Sequence, residues 1–185
     1  IIQNGAVFGR MFEDIAAARE SVHLETFIWE DGKLTTDLSA LLAKKAREGV
    51  RVRVLVDASG GRALDGEIRE KVEGAGVEVA HFHPFRISNL GRINNRDHRK
   101  LLIVDGRIGY TGGFGFSDTW LGNAGNTEQY RETNIRVTGP AVNRLQGAFS
   151  ENWIEETGEI PAADEYFPRL PNAGSTQIQV VYTSP

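Results

Sequence analysis

The chain has 185 residues, 40% of them apolar and a quarter charged, with a formal charge of -4 and a pI near 5.6. That length suits one α/β domain, which buries roughly 70% of the surface its unfolded chain exposes, and does not suit two. Net acidity argues against a surface that grips nucleic acid everywhere, and the lack of cysteine excludes disulfides and thiolate metal sites.

No apolar run reaches the roughly 20 residues that span a bilayer, and the N-terminus lacks the regions of a signal peptide. The chain starts at Ile1 rather than Met and stops at Pro185, which reads as a piece of something longer. Phe8, Met11, Phe12 and Ile15 recur at helical spacing before a strand from Val22 to Trp29. Leu34, Leu38, Leu41 and Leu42 form the stripe of a second helix closed by Gly49. The run Val50 to Val56 passes from alternation to continuous apolarity, as a strand covered on both faces does. Leu64, Ile68 and Val72 mark a third helix, ended by Gly74 and Gly76, and Val77 to Phe82 a short strand. This alternation implies parallel neighbours joined by right-handed crossovers.

After a loop from Pro84 to Asn95, the spacing predicts a strand from His98 to Val104, a two-residue turn at Asp105-Gly106, and a return from Arg107 to Thr111. Val104 then pairs with Arg107, and His98 faces Gly113. Tyr130 to Thr138 alternates with Ile135 and Val137 on one face, and Gly139-Pro140 opens a helix through Val142, Leu145, Phe149 and Trp153. The expected fold class is a single α/β/α sandwich with a mixed, largely parallel sheet. Residues 1–155 form the domain, 156–176 read as a linker with Pro161, Pro168 and Pro171, and 177–185 as one more strand.

Side chains two apart on a strand share a face, so His98 and Lys100 project together with Cα atoms about 6.6 Å apart and can touch one phosphate. Gly112 and Gly113 opposite would leave backbone amides open to a phosphoryl group. Around this pair, Arg86, Arg92, Arg96, Arg99, Lys100 and Arg107 face only Asp97 and Asp105, a local basic patch able to draw in lipid headgroups or nucleic-acid phosphates. Glu25, on an otherwise apolar strand, is a candidate for the same pocket. Asp before Gly is what a tight turn requires, so Asp105 reads as a turn former. His81 and His83 alternate around Phe82 with no acidic cluster nearby in sequence, and read as structural.

The run Asp97-His98-Arg99-Lys100 to Asp105-Gly106, followed by Thr111-Gly112-Gly113, resembles the HxKx4D signature and glycine-rich partner of the phospholipase D superfamily. His23 to Ile28, Lys45 to Val52, and Arg131-Glu132-Thr133 leading to Gly139-Pro140 resemble more narrowly the first half of bacterial cardiolipin synthases, over about residues 1 to 155. The resemblance implies a catalytic set of His98, Lys100, Asp105 and Glu132, with Gly112, Gly113, Gly115, Arg96 and Glu25 around the substrate. His98 attacks phosphorus, Lys100 neutralises non-bridging oxygens, and Glu132, at the place of the family's acidic residue, holds the imidazole tautomer. No metal and no cofactor is implied. A second motif arrives from the same polypeptide or a homodimer. The substrate implied is a phospholipid such as phosphatidylglycerol. The family often carries Ser at Gly113 and Asn at Gly115, so side-chain donors to phosphate are missing here. A nuclease of the same superfamily and an inactive phosphate-binding half remain open as alternatives. The resemblance is to bacterial proteins, associated with a membrane through segments outside this chain or cytoplasmic.

Overall fold

Residues 1–84, 96–161 and 163–182 are described by the computed structural model; beyond Pro84, the loop expected up to Asn95 lies outside them. Within the described residues the apolar stripes build helices α1 (Ala6–Ala17), α2 (Lys33–Arg47), α3 (Glu67–Glu73) and α4 (Ala141–Thr157). The strands are β1 (Ile2–Gln3), β2 (Ser21–Thr26), β3 (Arg51–Asp57), β4 (Glu78–Phe82), β5 (Leu101–Val104), β6 (Ile108–Gly112) and β7 (Thr133–Thr138), in the sheet order β1-β7-β6-β5-β2-β3-β4.

The sheet is mixed, as expected, but antiparallel pairings predominate. Only β2–β3 and β3–β4 run parallel, because crossovers end at β4 and the chain then returns through a hairpin and a meander. Val7, Phe8, Met11 and Ile15 of α1 pack with Leu34, Leu38 and Leu42 of α2 and Val72 of α3 on one face. On the other, α4 buries Val142, Leu145, Phe149 and Trp153 against Leu55, Leu101 and Ile103, each worth about 1.5–3 kcal/mol when fully covered. A methyl at Gly109 would lie 2.6 Å from Leu145 Cδ1, so the close approach of α4 depends on that residue having no side chain. Among the described residues no helix is long and apolar enough to cross a membrane.

Several expected boundaries shift. β2 stops at Thr26, and Trp29 makes only an isolated bridge to Phe116. A left-handed Gly66 separates a short 3-10 turn at Arg62–Leu64 from α3. The hairpin has three loop residues rather than two: Val104 pairs with Ile108 and Leu101 with Thr111. Asp105 and Gly106 both adopt positive φ, and the Arg107 N–H closes the turn on the Val104 carbonyl at 2.9 Å. His98 therefore has no ladder partner in Gly113, and β5 begins only at Leu101.

The first part of the expected linker is packed, while residues 171–179 are exposed. α4 runs on to Thr157, and Tyr166 is buried, its hydroxyl accepting from Arg53 Nη1 at 3.2 Å. Residues 177–182 form no strand: Val180 packs on the α4-side core, while Ile178, Val181 and Tyr182 stay exposed.

His23 sits under this face with no solvent exposure. Its Nδ1 lies 2.9 Å from Gln146 Oε1, and its ring stacks on Phe149 at 4.8 Å. Burial lowers its pKa to about 3, and Arg53 and Arg51 push the same way against the Gln146 hydrogen bond. An unfolded histidine titrates near about 6.5, so this contribution to stability is complete above that pH and is lost as pH falls toward the folded value, at up to about 1.4 kcal/mol per pH unit. In urea unfolding between about pH 7 and pH 4, wild type should lose stability more steeply than His23→Gln. Equal slopes would mean that the imidazole is not held neutral.

Candidate active site

The segment carrying His98 and Lys100 belongs to no strand. Its course is set by side chains beneath it. Asp57, at the end of β3, accepts the Asp97 N–H on Oδ2 at 3.0 Å, and Asp97 Oδ1 accepts the Arg99 N–H at 2.9 Å. With its amides bound to carboxylates rather than to β6, the segment leaves the ladder and turns His98 outward. His98 is exposed while Lys100 is buried.

The two groups still converge. The His98 ring lies 5.2 Å from that of Phe27, and Lys100 Nζ lies 5.7 Å from the same ring. Nζ also donates to the His98 carbonyl at 2.7 Å, which ties the cation to the backbone of the nucleophile candidate. Burial lowers the Lys100 pKa, and the carboxylates of Asp97 and Glu132 oppose the shift. His98, Lys100 and Arg96 line one cavity of about 770 Å³ with Gly112, Val181 and Tyr182.

Glu132 is half-buried beside this pair. Its Oε1 accepts the N–H of Thr133 at 3.0 Å, and its backbone is bracketed by Asn4, whose Oδ1 accepts the Glu132 N–H at 2.8 Å. Among the described contacts it makes no hydrogen bond to His98. The glycine pair makes room for neighbouring side chains, and Gly112 also lines the cavity. A Cβ at Gly113 would fall 2.1 Å from Glu132 Oε2, and one at Gly112 would fall 2.3 Å from Asn134 Oδ1. At Gly115 the space of a side chain is filled by Trp120, whose ring would lie 3.1 Å from a Cβ. That indole donates to the Gly113 carbonyl at 3.2 Å and stacks on Tyr130.

Asp105 does not join the site. It follows β5 whereas His98 and Lys100 precede it, about 13 Å of strand away. Its carboxylate accepts the N–H groups of Arg19, Glu20 and Ser21 at 2.8 to 3.2 Å, binding the end of α1 and the start of β2 to the hairpin. Arg96 does join, with Nη1 3.8 Å from Asp57 Oδ1. Glu25 lies beneath the segment, fully buried, its Oε1 accepting from Asn152 Nδ2 at 2.6 Å. His83 meets an acidic pair that the sequence separates: Nε2 is 3.0 Å from Glu155 Oε1 and 3.6 Å from Glu156 Oε1, and those three groups are close enough to share a cation. Their contacts are those of a histidine held by two carboxylates.

Asp57, Phe27, Asn152 and Trp120 were not singled out from sequence. Asp57 alone left a signal, a charged residue closing an apolar strand at the edge where α/β sheets place their ligands.

Residues 11–153 match the family model for the PLD-like domain of cardiolipin synthase. The chain is 36% identical over 178 residues to a cardiolipin synthase of Oceanobacillus iheyensis, covering 96% of this chain and 37% of that protein. It is 35% identical to the major cardiolipin synthase ClsA of Bacillus subtilis, covering 96% and 38%. It therefore spans well under half the length of these relatives. In fold it is similar to Nuc, a phospholipase D family member from Salmonella typhimurium, with a TM-score of 0.61 at 16% identity over 82% of this chain and 90% of that one. A phosphatidylserine synthase of Haemophilus influenzae gives 0.58 at 14% identity, over 84% and 35%.

Asp105→Ala should destabilise the domain by about 2 kcal/mol or more, since it strands three amides that were bound to a charged acceptor, while leaving the His98 ring resonances in place. A displaced His98 resonance in the folded variant would return Asp105 to the site.

Proposed function

We propose, from the premise that the chain belongs to the PLD-like domain family of cardiolipin synthases, that it supplies one half of an active site that transfers a phosphatidyl group. The observation that carries this reading is that an exposed imidazole and a buried ammonium both lie beside the Phe27 ring and both line one cavity.

Neutral imidazole is a competent nucleophile near pH 7. His98 attacks phosphorus and the bond to the leaving alcohol breaks, leaving a phosphohistidine. A histidine of a second motif, from the rest of the protein or a partner chain, protonates that alcohol. A second alcohol, or water, then attacks phosphorus and releases His98. Lys100 is aimed at the non-bridging oxygens, and its partial burial strengthens that attraction. Glu132, whose charge acts on Lys100, is the residue to which this reading gives the task of orienting the imidazole. The reaction needs no metal in this scheme.

Lipid is favoured over nucleic acid by the far wall of the cavity. Leu101, Ile135, Val137, Leu145 and Val180 line it, which suits an acyl-bearing glycerol better than polar bases. Ile178, Val181 and Tyr182 add exposed apolar surface beside it, which supports seating of a second half there.

The complete protein should turn over phosphatidylglycerol vesicles in the presence of chelator and leave single-stranded DNA intact. Cleavage of DNA alone would make it a nuclease, loss of turnover in chelator would overturn the metal-free scheme, and no reaction with either would leave a phosphate-binding half. Lys100→Ala should lower the rate about 10² to 10³-fold, and a wild-type rate would remove Lys100 from the chemistry.

A further inference from the structure

Three carboxyl groups lie beneath the His98 segment, and the mechanism uses none of them directly: Glu25 on β2, Asp57 on β3, and Asp97 itself, all buried. The partners of Asp57 are N–H groups. Its Oδ1 accepts from Ser59 at 2.8 Å and Gly60 at 3.4 Å, its Oδ2 from Asp97, and Arg96 lies nearby. Asp97 Oδ1 is taken by the Arg99 N–H, and Glu25 Oε1 by Asn152. One oxygen of each acid remains. Glu25 Oε2 and Asp97 Oδ2 are shut off from solvent, and neither meets an N–H or hydroxyl donor among the described residues.

These two carboxyl groups lie within hydrogen-bond reach of each other. Ionised carboxylates are acceptors only, so a pair of them cannot form that bond, whereas a single proton supplies the donor and satisfies both oxygens. Burial raises the Glu25 pKa well above the ordinary value, and the charge of Asp97 raises it further against Asn152 and Arg99. Burial raises Asp97 as well, aided by Asp57, but the bond from Glu25, the Arg99 amide and the Arg99 charge hold it down. Asp97 and Lys100 also attract one another. These facing groups favour Glu25 over Asp97 as the carrier of a shared proton.

We propose that Glu25 is a positioning residue: as a neutral carboxylic acid it donates to Asp97 and thereby fixes the segment that presents His98 and Lys100. The proposal rests on the reading of those two side chains as the phosphate-handling pair, but its physical core can be measured without substrate. Since the folded-state value lies above the free one, the bonded acid persists below that value and is lost as pH rises through it. Two buried like charges then repel and the segment loosens.

Difference infrared spectroscopy of wild type against Glu25→Gln should show a protonated carboxylic acid band at neutral pH that vanishes in the variant and titrates away in alkali. In amide exchange, Glu25→Gln, whose side-chain NH₂ replaces the donor, should stay within about threefold of wild type at Asp97 and Arg99, while Glu25→Ala should exchange about tenfold faster or more. In the complete protein Glu25→Ala should lower kcat with KM little changed, and Glu25→Gln should retain activity but lose the alkaline limb of the pH profile. A neutral-pH band that survives Glu25→Gln, or no such band in wild type, overturns the proposal even if the alanine variant fails to fold. If the band and exchange pattern appear but no lipid turns over, the proposed function fails and the role of Glu25 stands.

Discussion

The Asp57 carboxylate accepts the Asp97 N–H at 3.0 Å, and the placement of the site follows from that bond. A strand approaching β6 would continue its ladder back to His98. Asp57 captures an amide of the approaching segment instead, Asp97 bridges on to Arg99, and the chain reaches the sheet only at Leu101. The irregular stretch lets neighbours point differently, with an imidazole in solvent and an ammonium drawn into the protein. A regular strand would hold both at equal depth on one face.

The cost of this arrangement is buried charge. Glu25, Asp57 and Asp97 crowd under one segment, and like charges so close cannot all ionise. Backbone amides and Arg96 satisfy Asp57, while a retained proton on Glu25 is the simplest way to satisfy the other two. The net effect is a negative floor under Lys100 that opposes the lowering of its pKa by desolvation, beside the cavity from which an anion would arrive. On the opposite face of the sheet Asp14 plays an analogous structural part, joining α1 to β7 through Arg136 at 2.7 Å.

Helices and strands were legible where periodicity had a consequence for burial. The stripes of α1, α2 and α4 lie in the core as their spacing demands, and the family resemblance carried by the His98 segment agrees with both the sequence relatives and the fold. Register was not legible. Asp105-Gly106 allows either two or three loop residues, and what selects three is a carboxylate grip on Arg19, Glu20 and Ser21, which lie more than eighty positions away. For the same reason Asp105 could be read as part of the catalytic motif when it anchors the far end of the strand. The glycine pair was legible as a need for space, but its beneficiaries, Glu132 and Asn134, come from another strand. Glu25 was visible as an anomaly in an apolar run, whereas its partner Asp97 and its helper Asn152 become meaningful only when β5 and α4 close over β2.

The central claim is that His98, held outward by the Asp97 clamp, accepts the phosphoryl group. Rapid quenching of the complete protein during turnover of radiolabelled phosphatidylglycerol, followed by peptide mapping under conditions that preserve phosphohistidine, tests it directly. Label on the peptide carrying His98 that is both formed and discharged at the rate of turnover is the expected result. Turnover with no label on this peptide, or label elsewhere in the chain, would contradict it.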